Sequence, residues 1–145
     1  MKHLLKALVL TLAISVAPVA AHANSAKEIV LTAVTEAFIN GNTDAIDQYF
    51  AEDYIQHNPT IATGAAVIKE LFAHTPPNFK YEIGMVIAEG DMVAIHARIT
   101  GFGPKPLIGV DIFRVENGLI AEHWDVLQEE VLDTVSGNPM FEPMK

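Results

Sequence analysis

The segment Gly109-Val-Asp-Ile-Phe-Arg-Val-Glu-Asn-Gly-Leu-Ile-Ala-Glu-His-Trp-Asp-Val-Leu-Gln128 decides the fold. Apolar residues recur at every second position on both sides of Asn117-Gly118, a dipeptide that favours tight hairpin turns, so the segment reads as two antiparallel strands. Asp111, His123 and Asp125 fall on strands that are otherwise apolar, which marks the hairpin as the place of a site. Two closures fit. A two-residue turn at Asn117-Gly118 sets Glu116 against Leu119 and Asp111 opposite Trp124. A three-residue loop with Gly118 left-handed sets Val115 against Leu119 and Asp111 opposite His123. The second is favoured. It collects Asp111, Phe113, Val115, Ala121, His123, Asp125 and Leu127 on one face and leaves Arg114 diagonal to Glu122 on the other. A slip of one residue would exchange the faces.

Upstream, the same period of two predicts strands over Phe79 to Ala88 and Asp91 to Thr100, with Leu107 to Glu116 and Leu119 to Gln128 completing a four-stranded meander. Glu89-Gly90 and Gly101-Phe-Gly-Pro-Lys-Pro106 supply the turn chemistry between them. Before residue 79 the spacing is helical. Ile29, Val30, Ala33, Val34, Ala37 and Phe38 define a helix from Ala26 to Ile39 capped by Ser25, and a shorter one follows through Ala45, Ile46, Tyr49 and Phe50, with Thr43 or Asn42 as its cap. Tyr54-Ile-Gln-His-Asn-Pro59 is extended into its proline, and a third helix fits Gly64 to His74. Helices first and strands afterwards predict an α+β fold with the helices on one face of a curved sheet. The tail from Val131 to Lys145 has little periodicity and is expected to wrap over the fold or a neighbouring subunit.

At the N-terminus, Lys2 and Lys6 flank an apolar run from Leu4 to Val19 that leads to Ala21-His-Ala23. This is the pattern of an export signal, with cleavage expected after Ala23 and a periplasmic or secreted product at residues 24–145. That segment is expected to form one soluble domain. It carries seven basic residues against 18 acidic ones, a formal charge of −11, which argues against nucleic acid and anionic membranes as partners. The chain has no cysteine, so thiol nucleophiles and disulfides are excluded.

Asp125 is the candidate general base, and Asp111 and His123 are its candidate partners: burial raises a carboxylate pKa and a cationic imidazole lowers it, which is how a base is tuned. Each has a plainer reading, as a strand-end carboxylate for Asp125 and a buried structural pair for Asp111 with His123. His57 is either a donor to a ligand oxygen or, with Asn58, an organiser of the turn before Pro59. Tyr54 offers a phenol of the kind that stabilises an oxyanion, or a core ring with a wet hydroxyl. His96 reads as structural, Trp124 as a packing or interface residue, and Glu122 with Arg114 as a surface ion pair. No two histidines have local metal-ligand spacing, no nucleophile elbow exists at Ser25 or Ser136, the serines of residues 24–145, and no loop suits a phosphate. Neither a metal nor a cofactor is expected.

The order helix, helix, Gln56-His57-Asn58-Pro59, helix and four strands ending in Glu122-His123-Trp124-Asp125 resembles the SnoaL-like polyketide cyclase family of the nuclear transport factor 2-like superfamily, and Gly137-Asn-Pro-Met-Phe141 resembles its aldol-condensation branch. The resemblance implies a cone-shaped α+β barrel around an apolar pocket, and a homodimer through the convex sheet face. It also implies an aspartate on the last strand, matched here by Asp125, that serves as acid and base without cofactor or metal. Asp111 would be a second pocket residue, with His57 and His123 as polar lining. The expectation is an exported lyase or isomerase that removes a proton α to a carbonyl of a small apolar substrate. The alternative is a module that binds such a ligand, or a structural dimer, without chemistry.

Overall fold

The computed structural model describes residues 25–145; the expected signal segment and its cleavage point lie outside the described residues. Ser25 closes a capping box with Glu28, its hydroxyl accepting from the Glu28 N–H while the Glu28 carboxylate accepts from the Ser25 N–H. Helix α1, Ala26–Val34, follows and widens into one π turn, Thr35–Ile39. The π turn carries Phe38, whose ring stacks on Phe72 at 3.8 Å. Helix α2, Asp44–Tyr49, is shorter than its sequence pattern suggests, because Phe50 already adopts extended backbone and opens strand β1, Phe50–Gln56. Helix α3, Ala65–Ala73, packs beside α2, and Lys69 on α3 is paired with Asp44 and Asp47 on α2. Among the described residues, no helix is long and apolar enough to cross a membrane.

Strands β2 (Lys80–Glu89), β3 (Met92–Thr100), β4 (Leu107–Glu116) and β5 (Leu119–Glu129) form the expected antiparallel meander. The sheet also has a fifth strand. β1 pairs with β5 in parallel, giving the order β1-β5-β4-β3-β2 and a mixed sheet. One face is buried beneath the helices: Val93, Ile95, Ala97, Phe113, Val115 and Ile120 join Val30, Val34 and Ile46 in a core with almost no exposure. These residues occupy one end of the sheet, while Ile99, Leu107 and Leu127 at the other end border a cavity.

The last hairpin closes differently from the favoured reading. Asn117 and Gly118 both have positive φ, 52° and 81°, which is the geometry of a two-residue type I′ turn, and Glu116 faces Leu119. Left alone, that turn would drive Glu122 and Trp124 into the core. A bulge at Ala121 corrects it: Val115 pairs with Ile120 but Arg114 pairs with Glu122. The favoured inward set is thereby kept at Asp111, Phe113, Val115, His123, Asp125 and Leu127, and Ile120 replaces Ala121 in the core. Pairing shifts by two, so Asp111 lies opposite Asp125 and Phe113 opposite His123.

The C-terminal tail crosses the outer face of β2 and β3. Phe141 is buried there beside His96, and the Met144 N–H donates to the Ile83 carbonyl at 2.8 Å. Gly84, at a bulge in β2, leaves the space: a Cβ there would meet the Glu142 carbonyl and the Phe141 ring, each at 2.8 Å.

Candidate functional site

Alternation along β1 builds half of the site. Tyr54 and Gln56 point inward and Ile55 outward, and the chain keeps the same alternation one step past the strand, so Asn58 faces in and His57 faces out. The inward side chains meet Asp111 of β4 and His123 and Asp125 of β5 at the floor of a cavity of about 380 Å³. Its walls are apolar, drawn mainly from Phe38, Phe72, Phe79, Phe102, Phe113 and Ile61.

The polar floor is one hydrogen-bonded network whose direction is set by two backbone donors. The Thr60 N–H donates to Asn58 Oδ1 at 2.9 Å, which turns Asn58 Nδ2 onto both oxygens of Asp125, at 2.9 and 2.7 Å. The Asn58 N–H donates to Gln56 Oε1 at 2.9 Å, which turns Gln56 Nε2 toward the Tyr54 hydroxyl at 3.1 Å. Gln56 Oε1 is also 2.9 Å from His123 Nδ1, so that nitrogen is the donor. His123 Nε2 faces Asp111 Oδ1 at 3.1 Å, and the Tyr81 hydroxyl donates to Asp111 Oδ2 at 2.6 Å. Asp111, 5 % exposed, and His123, 7 % exposed, therefore form a buried pair. Among the described residues, no buried side-chain nitrogen or oxygen lacks a partner.

Burial, then the charges of Asp111 and Asp125, push the Tyr54 phenol well above its ordinary value, against a smaller lowering by Gln56. Tyr54 is thus neutral at any physiological pH. Its oxygen accepts from Gln56, so its own proton is available to the cavity. Tyr81 is pushed up by burial and by Asp111. Asp125 has no cationic partner among the described residues: Arg98 is held by Glu130 and Glu82, and Arg114 by Glu122 and Glu116.

Four of the five residues singled out in the sequence, Tyr54, Asp111, His123 and Asp125, line this cavity. His57 does not. Its ring stacks on Trp124 at 4.7 Å on the outer face, and its Nε2 contacts Glu122 at 2.8 Å. The physical reason is the alternation of β1, which sends residue 57 to the side opposite 56 and 58. His57 instead joins the outer ion-pair group. The hydrogen bond from His57, then that from Arg114, hold the Glu122 carboxyl below the ordinary range. Gln56, Asn58 and Tyr81 were not identified as site residues from sequence. Treating the extended segment Tyr54 to Asn58 as a sheet strand, with alternate residues facing in, places the first two; Tyr81 gives only the weaker signal of a tyrosine at an inward strand position.

Asp111, His123 and Asp125 each offer one ligand atom, all within 4.8 Å of one another. A cation bound there would compete with the hydrogen bonds that Asp111, His123 and Asp125 already make. His96 lies on the outer face and contributes nothing to this group.

The family model for the SnoaL-like domain matches residues 31–123, well over half of the chain. No curated protein matches. Among solved structures, a nuclear transport factor 2-like protein of unknown function from Burkholderia xenovorans is 20% identical, covering 77% of this chain and 88% of its own, with a TM-score of 0.64. A candidate ketosteroid isomerase from Kribbella flavida is 18% identical, covering 83% and 90%, at 0.64. A candidate polyketide cyclase from Acidithiobacillus ferrooxidans is 22% identical, covering 74% and 90%, at 0.61. At these identities the structures share a fold with the chain. With the family match, they make this protein a member of the SnoaL-like family, built on the nuclear transport factor 2-like α+β fold.

Proposed function

We propose that the protein is a cofactor-independent lyase or isomerase that removes a proton α to a carbonyl of a small apolar substrate. The observation that carries this reading is a neutral, buried phenol, Tyr54, lining the same apolar cavity as a carboxylate, Asp125, that no cation neutralises among the described residues. Asp125 takes the proton from carbon. The C–H electron pair moves onto the carbonyl oxygen, and the resulting enolate oxygen accepts a hydrogen bond from Tyr54. Asn58 steers the base by holding both carboxylate oxygens from one side. Members of this fold carry names from different reaction types, so the assignment rests on the site itself.

A second reading, an apolar ligand held without chemistry, draws support from Asp111, which is engaged by His123 and Tyr81. Binding separates the two. 2-Naphthol ionises to a planar oxyanion resembling an enolate, whereas naphthalene has the same shape without oxygen. The enzyme reading expects 2-naphthol to bind at least about tenfold tighter, worth about 1.4 kcal/mol, and Tyr54→Phe to erase the difference. Equal affinities in the unsubstituted protein would favour the binding module.

The outer sheet face exposes Met85, Ile87, Val110 and Val126, an apolar surface that suits pairing with a second copy. The proposed homodimer would be seen by sedimentation and lost on Val126→Lys. Lys2, Lys6 and the apolar run before Ala23 support export, which N-terminal sequencing of the periplasmic product would test.

A further inference from the structure

We propose that Gln56 is a positioning residue that sets where the protons of this site reside: it holds the proton of neutral His123 on Nδ1 and turns the Tyr54 proton into the cavity. A backbone N–H can only donate, so the Asn58 N–H, 2.9 Å from the Gln56 side chain, identifies the atom it meets as the amide oxygen. The same oxygen is 2.9 Å from His123 Nδ1, and two acceptors cannot face each other there; Nδ1 carries a hydrogen. The amide nitrogen then lies on the other side, 3.1 Å from the Tyr54 oxygen, and donates to it. Tyr54 has its acceptor site filled and its own hydrogen left for a ligand.

His123 Nε2, at 3.1 Å from Asp111 Oδ1, shares one proton with that carboxyl. The ring therefore keeps its tautomer while Gln56 is in place: when neutral, it holds Nδ1–H, and the shared proton sits on Asp111 Oδ1, which donates it to Nε2. One side chain thus governs both an imidazole and a phenol. The consequence for catalysis rests on the proposed enolate chemistry, but the proton placement does not.

Long-range proton–nitrogen correlation spectra of the 15N-labelled, ligand-free protein test it. The expected result is an Nδ1 that stays protonated across the His123 titration, with Nε2 as the bare nitrogen of the neutral ring. In Gln56→Leu the acceptor is gone, and the neutral ring should move its proton to Nε2, where Asp111 accepts it. Gln56→Glu restores an acceptor for His123 and the Asn58 N–H but cannot donate to Tyr54. It should keep the Nδ1–H signature while losing the preference for 2-naphthol over naphthalene. An Nε2–H tautomer in the unsubstituted protein, an unchanged tautomer in Gln56→Leu, or a retained naphthol preference in Gln56→Glu would overturn the proposal. Should Gln56→Leu fail to fold, the unsubstituted spectrum and Gln56→Glu still decide it. The tautomer is read without ligand, so an inactive protein with Nδ1–H refutes the enzyme reading alone.

Discussion

Replacing Tyr81 by phenylalanine removes one oxygen and leaves the ring where it packs, at 5.6 Å from Phe38. That oxygen donates to Asp111 Oδ2 at 2.6 Å, and both residues are 5 % exposed. A hydrogen bond to a charged acceptor contributes about 1.5–3 kcal/mol, against about 0.5–1.5 for a neutral pair. The Tyr81 hydroxyl faces the charge of Asp111, so Tyr81→Phe should cost about 1.5–3 kcal/mol. For a domain of this size that lowers Tm by roughly 6–12 °C. Urea unfolding at pH 7 followed by circular dichroism measures it.

The same substitution has a pH signature. Burial and the Asp111 charge raise the Tyr81 phenol above its ordinary 10.0. The folded state therefore holds a proton that the unfolded chain loses as pH rises past that value, and stability falls on the alkaline side. Tyr81→Phe should flatten part of that decline. Tyr54→Phe offers the contrast: its hydroxyl takes one neutral hydrogen bond from Gln56, and its removal should cost only about 0.5–1.5 kcal/mol. A Tyr81→Phe loss below about 1.5 kcal/mol, or one smaller than that of Tyr54→Phe, would refute Asp111 as a charged acceptor of the Tyr81 hydroxyl.

Two other outcomes follow from contacts away from the cavity. The Glu122 carboxyl, held low by His57 and then Arg114, stabilises the fold above its ordinary value of 4.5, and that contribution is lost as pH falls through its lowered folded value; Glu122→Gln should be less stable than the unsubstituted protein at pH 7, with the two converging toward pH 3 in denaturant melts. Gly84→Ala places a methyl 2.8 Å from the Glu142 carbonyl, a backbone atom that cannot swing aside, so the tail should detach and the Met144 N–H should lose its protection from hydrogen exchange.

The sequence pattern was a good guide wherever one face of an element is buried and the other wet. Strands β2 to β5 and helices α1 and α3 have that contrast, and the inward set Asp111, Phe113, His123 and Asp125 followed from it. Register was harder, because two local features had to cancel: the type I′ turn at Asn117-Gly118 shifts the faces by one residue and the bulge at Ala121 shifts them back. A bulge has no composition of its own. β1 was hidden for a related reason. Its partner, β5, lies far away in sequence, and parallel pairing leaves no hairpin turn to read, so Tyr54 to Pro59 reads only as an extended segment running into a proline, with no sheet assigned to it. Without a sheet the inward and outward sides of the segment go unassigned, which is why His57 reads as a pocket residue, Gln56 has no role and Asn58 only that of organising the turn before Pro59.

The most direct measurement is deuterium uptake at the α-carbon of 2-tetralone, an apolar bicyclic ketone, followed by proton NMR in D2O with catalytic amounts of protein. If Asp125 removes a proton from carbon while Tyr54 steadies the enolate oxygen, exchange should run well above the buffer rate. It should fall to that rate in Asp125→Asn, and fall about 10²–10³-fold in Tyr54→Phe. Exchange that persists in full in a folded Asp125→Asn protein would contradict the assignment of Asp125 as the base.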